Sequence, residues 1–218
     1  MKRLTIETAT EACSVLLEVD GHRLERRETG ARVHARVLLP WIGSLLAEAG
    51  IGYSQLDSLA VDRGPGGFTS LRLGLSVAQG IALAHQLPVH PVSSLAALAL
   101  QAREAGAGAN VIAVLDARMG EVYAGWYEVD LGGLRPVADE WLGPPEALPR
   151  RFDGPVHSIG AGFARYPEAL ADALGGQATC VDSAALPTAS AVASLADGVT
   201  PVAANALEPI YLRDRVTG

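Results

Sequence analysis

Between Val61 and His85 the chain reads VDRGPGGFTSLRLGLSVAQGIALAH, which joins a buried strand end, a glycine-rich turn and a helix with almost no polar face. The turn Gly64-Pro65-Gly66-Gly67 lets the backbone reach positive φ at little cost and approach a neighbour or an anion closely. Thr69 or Ser70 is the expected cap of the helix that follows. Its polar positions Arg72, Ser76, Gln79 and Gln86 form one narrow stripe, and apolar or small residues fill the rest. A surface helix needs only one apolar face, so this helix is expected to be covered on two. Gly74, Ala78 and Ala82 lie four apart and make a flat row that allows close helix packing. Gly74 and Gly80 each cost roughly 1 kcal/mol of helix propensity, which close packing would offset. Periodicity leaves two outcomes open, a core helix between sheet and helix of the same chain or a surface for another molecule.

A second segment of this kind runs from His34 to Gly50, with Leu38, Trp41, Ile42, Leu45, Leu46 and Ala49 on its apolar stripe. Pro40 removes one helical hydrogen bond, so the helix is expected to begin or bend there.

At 218 residues and net charge −7 the chain has ample material for a core and lacks the basic balance of a nucleic-acid-binding domain. Arg23, Arg26, Arg27, Arg32 and Arg36 form a local basic run beside Glu25 and Glu28, which reads as a solvated hairpin and helix start. Cys13 and Cys180 are too few and too far apart for a disulfide framework or a zinc site, and both are expected to be buried. No secretory leader and no membrane-length apolar run is visible, and a cytoplasmic protein without membrane contact is expected.

The chain opens as a strand meander, Leu4 to Ile6, Cys13 to Val19 and His22 to Arg27, before the first helix and a strand at Leu56 to Val61. After the second helix come a short strand, Val89 to Val92, a helix from Leu95 to Arg103 and the small, flexible run EAGAGAN at residues 104–110. The pattern then restarts with strands at Val111 to Leu115, Glu121 to Val129 and near Leu134 to Trp141. Later elements are a strand at Val156 to Ile159, a helix near Phe163 to Leu174, a strand at Thr179 to Asp182 and a helix near Ala189 to Ala196. An α/β fold with duplicated mixed-sheet lobes follows, divided at residues 1–104 and 105–218.

Two clusters could serve a cleft. Glu7, Thr8 and Thr10 occupy the first hairpin turn, where backbone N–H groups and hydroxyls could meet a phosphate and the carboxylate could help organise its metal. Asp116, Arg118 and Glu121 follow the first strand of the second lobe, as a cleft-edge site or a hydrogen-bonded turn. If the lobes are related, the two clusters should face each other, with Arg118 the evident partner for phosphate. There is no P-loop, no HExxH or HxxxH pair and no GxSxG elbow. The five histidines show no mutual metal spacing.

IETATEACSVLL at residues 6–17, LLPWIGSLLAEAG in the first helix, DRGPGGFTSLRLGLSVAQGIALA at residues 62–84, LDARMGEVYAG at 115–125 and PIYLRD at 209–214 resemble the TsaB (YeaZ) family. The resemblance implies a two-lobed actin/Hsp70-like (ASKHA) fold with a degenerate second lobe. It implies a non-catalytic scaffold and activator in the tRNA N6-threonylcarbamoyladenosine pathway, bound to the paralogous transferase TsaD. The TsaE ATPase would be reached through that complex, tRNA indirectly, and a homodimer would form when the chain is alone. The two apolar helices would enter a shared helix bundle through Leu38, Trp41, Ile42, Leu45, Leu71, Gly74, Leu75, Ala78 and Ala82. TsaD proteins carry a metal-binding HxxxH, whereas His34 here has no second histidine, so neither metal nor catalysis carries over. Glu7 stands where most members have aspartate. No tightly bound cofactor is expected, with ATP or ADP and magnesium held, if at all, at a shared interface. The alternative is an ASKHA-type small-molecule kinase or a metallopeptidase-like enzyme.

Overall fold

A computed structural model describes residues 1–130 and 133–213. Contacts group the chain into two compact units.

The first unit holds Met1–Ser94 and Pro187–Ile210. Its sheet contains β1 (Lys2–Glu7), β2 (Ala12–Val19), β3 (His22–Thr29), β4 (Ser58–Asp62) and β5 (Val89–Val92), in the order β3-β2-β1-β4-β5. β1 pairs antiparallel with β2 and parallel with β4, so the meander makes one half of the sheet and crossover connections the other. Two helices supply those connections, α1 (Val33–Glu48) and α2 (Phe68–His85).

Alternation along β1 assigns the two faces. Leu4 and Ile6 meet Val15, Leu17, Leu59 and the inner faces of α1 and α2. Arg3, Thr5 and Glu7 have the opposite parity. The helix α6 (Ala189–Ala196) covers that second face, with Ala189 and Ala193 on Leu16. The Ala189 N–H donates to Ser14 Oγ at 2.8 Å, and the buried Arg3 guanidinium reaches Asp197, Ser58 Oγ and the Ala193 carbonyl. With both faces covered, β4 is buried throughout.

The second unit holds Leu95–Leu186 and, of the segment that follows the first unit, the described residues 211–213. Its strands are β6 (Asn110–Arg118), β7 (Glu121–Asp130), β8 (Gly133–Pro136), β9 (Trp141–Gly143), β10 (Val156–Ile159) and β11 (Ala178–Asp182). They run in the order β11-β10-β6-β7-β8, with β9 also paired to β7. The antiparallel β6-β7-β8 half and the parallel β6-β10-β11 half repeat the pairing of the first sheet strand for strand. The helix α3 (Ser94–Glu104) packs Leu95, Leu98 and Ala102 on one face. On the other, Phe163 of α4 (Ala161–Arg165) and Leu170 of α5 (Pro167–Ala173) pack on Ile112, Val114 and Trp126.

This is a duplicated α/β fold of the actin/Hsp70-like class, and its second repeat is the reduced one. Where the first has α1, the second has a single 3-10 turn at Pro145–Ala147. The units are not the consecutive blocks 1–104 and 105–218. α3 follows β5 yet belongs with the second sheet, and α6 follows β11 yet belongs with the first, because each has its apolar stripe on the other repeat's strands.

Several local expectations change. Pro40 neither starts nor stops α1, because it lies on the exposed side with three turns of helix packed elsewhere. Gly67, not Thr69 or Ser70, occupies the N-cap of α2. The strand expected over Leu134 to Trp141 is two strands, β8 and β9, and the helix expected near Phe163 to Leu174 is split ahead of Pro167. Cys180 is exposed, because its strand β11 is the edge of its sheet, while Cys13 is buried as expected.

Candidate functional site

The glycine turn and the first hairpin turn form one packed unit. The Gly64–Pro65 peptide is cis. The Gly67 N–H donates to the Ala9 carbonyl at 2.6 Å, and a Cβ on Gly66 would stand 2.3 Å from that same oxygen. A Cβ on Gly74 would stand 2.2 Å from Thr8 Oγ1. Gly66 is therefore required by the approach of the Ala9 backbone, and Gly74 by the approach of the Thr8 side chain.

Inside this joint lie two carboxyl groups. The Thr8 N–H donates to Asp62 Oδ1 and the Ala9 N–H to Glu7 Oε1, each at 2.8 Å. Glu7, Thr8 and Asp62 are fully buried. Burial, then the charge of Asp62, raises the Glu7 carboxyl well above the ordinary range, and burial pushes Asp62 up to about 7. Among the described residues, Glu7 Oε2, Asp62 Oδ2 and Thr8 Oγ1 have no hydrogen-bond partner. The amides that could meet a phosphate at Thr8 and Ala9 are thus committed to carboxyls of the chain itself. Thr10, half-buried, accepts from the Ala12 N–H. This arrangement disfavours the ionised carboxyls and fixes a turn, and it does not fit a nucleotide phosphate with its metal. Asp62 was missed by sequence reasoning, although a strand ending in aspartate just before a glycine turn was a usable signal.

In the second unit, Asp116 accepts from the Arg118 N–H and faces its guanidinium at 3.0 Å, with the Tyr166 hydroxyl 3.5 Å away. Glu121 pairs with Arg213, which also reaches the Ala117 carbonyl. The cluster is a self-satisfied turn from which the Arg118 side chain projects into solvent. PIYLRD supplies Arg213; its last residue, Asp214, lies outside the described residues. Among the described residues no group of three His, Cys, Asp or Glu could hold a metal ion. His34 is buried with Nε2 2.8 Å from the Ala12 carbonyl. In the basic run, Arg23, Arg26 and Arg36 are paired to Glu18, Glu48 and Glu28.

The apolar helices require a larger correction. Leu38, Ile42, Leu45, Leu71, Gly74, Leu75, Ala78 and Ala82 are all buried in the first unit's own core, and Trp41 is half-buried against it. The row Gly74, Ala78 and Ala82 faces inward, toward Thr8 and the sheet, not outward toward a second helix. Periodicity groups residues on a face but does not say which of two apolar faces the chain keeps for itself.

The other face is the one left open. On α1 it exposes Leu39, Pro40, Gly43, Ser44 and Ala47, and on α2 Ser76, Gly80, Leu83 and Ala84. Leu39 is 58% exposed and Leu83 73%. Leu73, Val77 and Ile81 are partly covered beside them. α1 and α2 are in contact. A Cβ on Gly43 or Gly80 would meet nothing within 4 Å, so nothing in the chain's own packing calls for either glycine.

No described helix is long and apolar enough to cross a membrane. The family described as TsaD, tRNA N6-adenosine threonylcarbamoyltransferase, matches residues 27–153. The tRNA threonylcarbamoyladenosine biosynthesis protein TsaB of Haemophilus influenzae is 35% identical over 98% of this chain and 94% of its own length. The Escherichia coli protein of the same name is 36% identical over 99% and 96%. The solved structure of YeaZ from Pseudomonas aeruginosa superposes with a TM-score of 0.88 at 39% identity, covering 97% of this chain and 99% of that one. With near-complete coverage in sequence and structure, the chain belongs to the TsaB (YeaZ) family.

Proposed function

We propose that the chain works in tRNA threonylcarbamoyladenosine biosynthesis as a non-catalytic subunit that docks a TsaD transferase through the exposed face of α1 and α2. The reading rests on the chain's relatives and on one observation. Two adjacent helices leave an apolar strip in solvent, and that strip carries two glycines that the chain's own packing does not need. Helical glycine costs about 1 kcal/mol, a cost that close approach of another helix offsets. An exposed apolar strip of this kind marks a protein contact.

In this reading a second copy of the chain covers the same face when the transferase is absent. The TsaE ATPase and tRNA are engaged through the complex. Since Thr8 and Ala9 spend their amides internally, a nucleotide with magnesium needs a surface completed by the partner, to which the exposed Arg118 can contribute. The chain's part is to hold and shape the transferase rather than to react.

The test uses Leu83→Glu and Gly80→Arg, each of which would place a charge against a close helix. Sedimentation of the pure chain and binding to the purified transferase should both weaken at least about tenfold, and thermal stability should hold. Unaltered self-association and unaltered transferase binding would overturn the docking face. ATP or peptide hydrolysis by the pure chain, lost in Asp116→Ala, would replace this reading with the enzyme alternative.

A further inference from the structure

We infer that the second unit carries a binding slot for a small carboxylate, built around the indole N–H of Trp126. Trp126 lies on β7 beneath α5 and is 1% exposed, yet its Nε1 has no hydrogen-bond partner among the described residues. A buried indole ordinarily finds an acceptor, and leaving the donor unmatched costs free energy. Trp126 also lines a cavity of about 10 Å³, room for a single oxygen-sized group, together with Arg150, Arg151, Phe152 and Gln177.

The mouth of the cavity is basic. Arg150 is held by its Nε, which donates to the Ala173 carbonyl at 2.8 Å. Arg151 lies over the Trp126 ring, its Cζ 5.7 Å from the centroid. Among the described residues neither guanidinium is in an ion pair with a carboxylate. An unmatched buried donor on a residue that lines a one-atom cavity, with planar donors at its mouth, suits a carboxylate, with one oxygen toward the indole and the other on a guanidinium.

The experiment is heteronuclear NMR of the indole groups in the intact chain, titrated with sodium acetate and sodium propionate against sodium chloride at matched ionic strength. The resonance absent from Trp126→Phe identifies the site. That resonance should move saturably with either carboxylate, while those of Trp41 and Trp141 stay still. Arg151→Gln, a surface change that keeps the fold, should weaken the response at least about tenfold. No saturable shift means the slot holds only water, and the proposal fails. An equal shift with chloride, or an Arg151→Gln chain that binds as the wild type does, overturns it as well.

Discussion

Two strand ends occupy the same place in the duplicated topology and are built in opposite ways. At the end of β1, Glu7 and its neighbour Asp62 on β4 are sealed from water, favour the protonated state and bind the turn's amides. At the end of β6, Asp116 is paired to an exposed arginine on its own hairpin. The first repeat has turned this position into a joint between turn, helix and sheet, and the second has left it a partly buried pair within one hairpin. The repeats differ likewise in their helices. The first keeps two full helices with an unused outer face, whereas the second has a 3-10 turn and two short segments broken at a proline. Duplication thus preserved the strand order and released the rest.

The largest expected effect concerns the buried carboxyls. Their native pKa values lie above those of the unfolded chain, so the native state binds more protons, and stability is greatest below the ordinary carboxylate range. It should fall as pH rises from about 4 to about 7, the interval between the ordinary Asp value of 3.8 and the value near 7 for Asp62. The loss should be on the order of a few kcal/mol. Urea unfolding across this range should show the decline in the wild type and a flatter profile in Asp62→Asn, whose amide oxygen can still accept from Thr8. An unchanged slope in the variant would mean that the joint does not favour the neutral acid.

Arg3 is the other inward-facing charge of the first repeat. Arg3→Ala should lower stability by about 2 to 3 kcal/mol, since removing the charged donor leaves Ser58 and the Ala193 carbonyl without it at once. The two glycines of α2 then divide inner from outer face. Gly74→Ala should cost about 1 to 3 kcal/mol because its new methyl meets Thr8. Gly80→Ala should instead stabilise by about 0.5 to 1 kcal/mol while weakening association. Equal signs for the two would erase the distinction between the faces. The smallest effect is kinetic. Cys180 should react with a thiol reagent in the native state while Cys13 stays protected, since burial pushes its thiol up to about 12.

The succession of strands along the chain was legible from composition and alternation, since each meander begins with a buried strand and ends in a polar one, but their order in the sheets was not. The repeat was visible only as element order, because the two halves share geometry rather than residues. What sequence could not show was the destination of apolar surface. Leu71 and Leu83 look alike on α2, and only the sheet beneath decides that one is core and the other open. Gly74 and Gly80 looked alike for the same reason. The carboxyl joint stayed hidden because Glu7 and Asp62 lie far apart in the chain, and turn chemistry alone suggested donors open to solvent. The helix exchange escaped because the flexible run at 104–110 marks a loop, not a boundary.

That exchange sets the order in which the chain can mature on a ribosome. When the first 104 residues have emerged, the first sheet still lacks the helix that covers Thr5, Leu16 and the Arg3 guanidinium. The covering helix is synthesised almost last. Until then the new sheet must wait with one face wet, and a fragment cut after either meander would inherit that unfinished face permanently.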